Sequence, residues 1–114
     1  MDKSLIKQTG MCLGKALNHL ADIISFTSSI GEKKPSAILR FQTALQEVQH
    51  ELQGRDSLDE AAAKEYWEKL DAIAREMMRQ IIALGQGRNS NLHRSYDQVQ
   101  QAMAKLSCLS LTAR

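Results

Sequence analysis

Apolar positions recur along this chain in steps of three and four, in four separate stretches. The stretch that organises the rest runs from Ser57 to Leu84. Tyr66, Leu70, Ile73, Met77, Ile81 and Leu84 mark one face, and Trp67, Ala74, Met78 and Ile82 widen it on one flank. A stripe that wide calls for more than one partner helix. Ser57-Leu58-Asp59-Glu60 has the form of a capping box: the serine oxygen accepts from the backbone N–H three residues on, and Glu60 reaches back. Asp59 and Glu60 also place negative charge at the positive end of the helix dipole. Ala61-Ala62-Ala63 comes next, with the strongest helix propensity available, and Gly85 is the expected stop. The spacing predicts a helix over 58–84, ~40 Å long at 1.5 Å per residue.

The first stretch predicts a helix over 3–30. Ile6, Leu13, Leu20 and Thr27 repeat every seven residues, interleaved with Ala16, Leu17, Ile23 and Ile24, while Leu5, Cys12, Ala21, Phe26 and Ile30 fall outside that seam. Apolar residues therefore cover more than half its circumference, which marks the helix as central or as the carrier of a second interface. Gly10 and Gly14 each cost ~1 kcal/mol against alanine inside a helix; they point to a kink or a close helix crossing, or alternatively to a dimer contact. Ser25, Thr27, Ser28 and Ser29 weaken its last turns.

After the linker Glu32-Lys33-Lys34-Pro35, the spacing predicts a helix over 36–53 with a regular seam of Ile38, Phe41, Leu45, Val48 and Leu52. Gly54 stops it. The stretch 86–91, Gln-Gly-Arg-Asn-Ser-Asn, offers three residues able to cap a fourth helix. A seam of Leu92, Tyr96, Val99, Met103 and Leu106 predicts that helix over 91–106.

Four helices joined by short loops pack antiparallel with their neighbours. The expected fold is all-α, an up-down-up-down four-helix bundle over 1–106 with a C-terminal tail at 107–114. The alternative is a helical hairpin or three-helix core completed by dimerisation. Leu45, Val48, Leu70, Ile73, Met77 and Val99 sit mid-seam and are the expected core.

Composition agrees with that class. Of 114 residues, 43% are hydrophobic and 25% charged, with one proline and 4% aromatics, which disfavours disorder and a β-rich fold. Cys12 and Cys108 form no CxxC pair, as in a reducing cytoplasm, and the bundle topology brings both to one pole. Lys15, Asn18, His19 and Asp22 interrupt any signal-peptide core, and no apolar run has transmembrane length. The expected location is the cytoplasm, or outside the cell by a route without a cleaved signal.

Candidate chemistry is sparse. Glu47 and His50 have the Glu-x-x-His spacing of di-iron bundles, but only one copy exists and Val48 turns both residues to solvent. His19/Asp22 and His93/Asp97 are helical neighbours that would need a thiolate or another histidine to hold zinc. No nucleophile–base constellation and no phosphate loop are visible. Trp67, Met77, Met78 and Met103 could line a ligand groove, but at helical spacing they read as core. The expectation is therefore no enzyme, no metal and no cofactor.

Charge departs from an even spread. Residues 85–114 carry four basic side chains against one acidic, and 55–84 carry five against seven. Threading the bundle puts the first and third loops at one end, with Lys33, Lys34, Arg40, Arg79, Arg88 and Arg94. Asp56, Asp59, Glu60 and Glu65 fall at the other. The expected function is a non-catalytic protein-interaction module, of the general form of small adaptors, anti-activators and secretion chaperones. Its expected contact residues are a basic pole of Lys33, Lys34, Arg88 and Arg94, and Leu5, Ile6, Ile23, Phe26 and Ile30 on the first helix. The latter set would serve a partner protein or a homodimer. A partner with an acidic segment fits this charge better than DNA, since net charge is only +2. The alternative is a nucleic-acid-binding accessory protein using the basic loops.

Overall fold

The computed structural model describes residues 3–29, 31, 36–85 and 90–112, with the side chains of 28, 29 and 108–112 outside the described set. Four helices account for nearly all of these: α1 (Lys3–Ser29), α2 (Ser36–Gln53), α3 (Glu60–Leu84) and α4 (Asn91–Thr112). Helix α4 thus runs well past position 106, through most of the expected tail.

Helices adjacent in the chain pack on one another, and α1 closes the ring against α4; among the described residues the backbones of neither diagonal pair come within 8 Å, Cα to Cα. Side-chain bonds give the direction. Ser95 Oγ donates to the Ala16 carbonyl at 2.9 Å, and Lys105 Nζ lies 3.4 Å from Gln8 Oε1, so α4 runs antiparallel to α1. The result is an up-down-up-down bundle measuring 50 × 25 × 19 Å. One chain completes its own core.

The α1–α4 seam is the most extensive of the four. Small residues let these two backbones approach: Thr9, Ala16, Ser95 and Ala102 are all fully buried there. The two buried hydroxyls are satisfied, Ser95 across the seam and Thr9 by its own helix, its Oγ1 donating to the Leu5 carbonyl at 2.7 Å. The α2–α3 seam is the slightest. At its surface Lys69 meets Glu51 at 3.6 Å, an exposed pair of small energetic weight.

The core follows the expected seams with local shifts. All five positions of the α2 seam are buried. In α3 the buried set is Ala63, Tyr66, Leu70, Ala74, Met77 and Ile81. Ile73 is half-buried at the rim, and Leu84, one residue before Gly85, is 60% exposed. In α4 Ser95 and Ala102 join the core, and Tyr96 sits at its edge. Cys12 is also buried, although it lies off the seven-residue seam of α1.

Helix α3 starts two residues later than its capping box implies. Asp59, not Ser57, is the N-cap: its Oδ1 accepts from Ala62 N at 2.7 Å. Leu58 is 2% exposed and Ala63 1%. They occupy the N′ and N4 positions of a hydrophobic staple. Burying Leu58 outside the helix selects Asp59 over Ser57. The other end is as expected, with Gly85 left-handed at φ 67° and its N–H turned to the Ile81 and Ile82 carbonyls. Helix α4 is capped by Ser90, whose Oγ accepts from His93 N at 3.1 Å.

Gly10 and Gly14 mark a close crossing of α1 with α2. Gln49 Nε2 donates to the Gly10 carbonyl at 3.1 Å, and a β-carbon at Gly14 would stand 3.2 Å from that same nitrogen. A β-carbon at Gly10 would meet nothing within 4 Å. Gly10→Ala is therefore expected to add up to ~1 kcal/mol of stability through helix propensity. Gly14→Ala is expected to gain less, since it must displace the Gln49 amide. Urea melts of the two variants will rank them.

The register also corrects the expected proximity of the cysteines. The Gln8–Lys105 and Ala16–Ser95 contacts put Cys12 level with the stretch around Val99. Cys108 is some two turns further along α4, and its side chain lies outside the described residues. The register does not support a ready Cys12–Cys108 bond.

Candidate functional site

All four helices meet at one end of the bundle. Ile23, Phe26 and Thr27 of α1, Ala37 and Ile38 of α2, Gln80 and Leu84 of α3, and Leu92 at the start of α4 surround a groove of about 430 Å³. The termini explain its shape. Helix α1 ends in a weakened turn, where Thr27 Oγ1 bonds back to the Ile23 and Ile24 carbonyls at 3.2 and 2.9 Å. Helix α3 carries Leu84 beyond its last buried position, Ile81, before Gly85 turns the chain. Phe26 and Leu84 consequently stay 63% and 60% exposed on two walls of one depression. Gln80, Ser90 and Asn91 add amide and hydroxyl groups among the apolar ones. Such a mixture suits an inserted apolar side chain together with the backbone that carries it.

The expected site residues divide between this end and elsewhere. Ile23 and Phe26 line the groove. Leu5 and Ile6 belong to the opposite end of α1, about 30 Å away at 1.5 Å per residue. Ile6 is 5% exposed and forms part of the core, and Leu5 is half-buried. The four described residues of the expected first-helix surface thus fall in two separate regions, with Ile6 buried in the core. Ile6 keeps the seven-residue seam of α1 that also buries Leu13 and Leu20. Ile30 lies outside the described residues.

Of the expected basic pole, Lys33, Lys34 and Arg88 also lie outside the described residues. The positions that flank them, 31, 36, 85 and 90, all belong to the groove end. Arg94 is exposed in the first turn of α4, its N–H bonded to the Ser90 carbonyl at 3.0 Å. Arg40 is exposed as well, whereas Arg79 is paired with Glu76 on its own helix. Leu84 is the groove residue that periodicity misplaces: it fits the α3 seam in spacing, but it stays 60% exposed on the groove wall. Its closeness to Gly85 is the signal that it leaves the core.

Other candidate chemistry stays dispersed. Glu47 and His50 are exposed on α2, and no cluster of three or more His, Cys, Asp or Glu suited to a metal occurs among the described residues. His93 Nδ1 lies 3.3 Å from Asp97 Oδ2, within ion-pair range but not aligned as a hydrogen bond. Met77 and Met103 are buried, and Trp67 and Met78 pack against the core. Among the described residues no helix is long and apolar enough to cross a membrane.

Comparison with protein-family models, with curated proteins and with solved structures finds no match for this chain.

Proposed function

We propose that this protein is a non-catalytic binding module that docks a segment of another protein at the groove end of the bundle. The observation that carries the reading is the four-helix groove, with Phe26 and Leu84 exposed on its walls. Exposed aromatic and aliphatic side chains beside a concave surface are the usual anchors of a protein interface. The sequence of the two loops that flank this groove is basic: Lys33 and Lys34 belong to the first loop and Arg88 to the third, while Arg94 is exposed in the first turn of α4. A segment with apolar anchors and flanking carboxylates matches both properties. Arginine suits bidentate contact with a carboxylate, and lysine adds a point charge.

Affinity capture from the native host supplies the test. Wild-type protein is expected to retain a partner whose binding weakens as salt rises, because exposed charges are screened. Phe26→Asp combined with Leu84→Asp is expected to lose at least tenfold in affinity, roughly the 1.4 kcal/mol that one buried anchor contributes. Charge reversal at Lys34 and Arg88 together is expected to abolish capture at moderate salt. Both variants are expected to keep wild-type helicity by circular dichroism. Undiminished capture by both would overturn the proposal. Retention of nucleic acid, seen as excess absorbance at 260 nm, would favour the basic loops as a nucleic-acid contact instead.

A further inference from the structure

A second groove opens at the other end of the molecule, between the first turns of α1 and the last turns of α2. It encloses about 400 Å³, with the core residues Ile6 and Leu52 beneath it and Met11 as its exposed apolar wall. Two sequence features keep it open. Gly10 and Gly14 sit one turn apart on the α1 wall, and a β-carbon at Gly10 would project into empty space. Gln49 is drawn down onto the Gly10 carbonyl and does not fill the cleft.

Its charge is of one sign. Lys3, Lys7 and Arg55 all line the groove, and no carboxylate does among the described residues. Lys3 and Lys7 are one helical turn apart, and neither pairs with a carboxylate among the described residues. Arg55 is held in place by a buried tyrosine. Its Nε donates to Tyr66 Oη at 3.0 Å, and the guanidinium lies 5.4 Å from the ring centroid. That contact leaves its two terminal nitrogens for a carboxylate. Met11, 56% exposed, supplies an adaptable apolar wall.

We infer that this groove is a second docking site, taking an amphipathic helix of a partner protein that presents carboxylates on one edge and aliphatic side chains on its face. Charge complementarity selects the occupant. Lys3 and Lys7 on one wall and Arg55 on the other attract carboxylates, and the open side of Gly10 lets a third helix approach α1 closely. A second copy of this chain fits less well. Two-fold apposition of this surface would bring lysines towards lysines. The site is independent of the groove at the opposite end.

The test uses the full chain and a fluorescein-labelled synthetic helix of about four turns, with glutamates along one edge and leucines on its face. A control peptide carries lysine at each glutamate position. The glutamate peptide is expected to bind, in a salt-sensitive way, and to shift the amide NMR signals of Gly10, Gly14 and Gln49. Lys3→Glu with Lys7→Glu is expected to weaken binding about tenfold, and Gly10→Leu, which fills the cleft from an open position, by a similar factor. Phe26→Asp is expected to leave it unchanged, which separates this site from the one at the other end. The inference is overturned if the glutamate peptide does not bind. It is equally overturned if both peptides bind alike, if the shifts centre on Phe26 and Leu84, or if the Gly10→Leu variant binds as wild type. Self-association lost in Gly10→Leu without peptide binding by wild type would assign the groove to a second copy.

Discussion

Leu70→Ala should destabilise the bundle by ~2–5 kcal/mol, the range for opening a cavity at a fully buried leucine. Leu70 has no exposed surface and stands mid-way along α3, between Tyr66 and Ala74 on the buried face. Ile73, three residues away on an expected seam, provides the control. It is half-buried, and Ile73→Ala is expected to cost less than half as much because part of the removed surface already faces water. Urea melts of both variants check the pair. A loss below ~0.5 kcal/mol at position 70 would deny its burial, and equal losses at 70 and 73 would deny the position of the rim.

The other large effect comes from adding atoms. Ser95→Leu is expected to cost ~2–4 kcal/mol, combining overpacking with the loss of a buried hydrogen bond. Ser95 is fully buried where α4 crosses α1, and its hydroxyl donates to the Ala16 carbonyl. A leucine there would have to push the two backbones apart along the most extensive seam of the bundle. Ser95→Ala keeps the spacing and forfeits only the bond, for about 1 kcal/mol. Because Ala16 retains its intrahelical bond, its carbonyl is not left bare. Melting both variants separates volume from hydrogen bonding, and a leucine variant as stable as the alanine one would mean that the helices are further apart than described.

Helix number, order and direction were legible from apolar spacing and glycine breaks. The α2 seam shows why: every position on it is large and aliphatic or aromatic, and all five are buried. Spacing failed where burial depends on small residues. Thr9, Ser95 and Ala102 are fully buried, yet serine and threonine carry no hydrophobic signal and alanine only a weak one. The expected first-helix surface split because Ile6 keeps the core seam of α1, whereas Phe26 stands off it. Ser57 and Asp59 are both good caps, and only the burial of Leu58 decides between them. The end groove was half legible. Phe26 stood off the α1 seam, but Leu84 kept the α3 period and yet stays exposed on the groove wall. The second groove escaped because Arg55 is distant in sequence from Lys3 and Lys7 and joins them only through the α1–α2 crossing.

Site-specific photocrosslinking in the native host tests the central claim most directly. A photoreactive phenylalanine analogue is placed at Phe26, on the groove wall, and in a parallel variant at Glu68, exposed on the α3 surface away from both grooves. A discrete protein adduct is expected from position 26, absent from position 68 and reduced by Lys34→Glu with Arg88→Glu. An adduct of equal yield at both positions, or at position 68 alone, would contradict docking at the groove end.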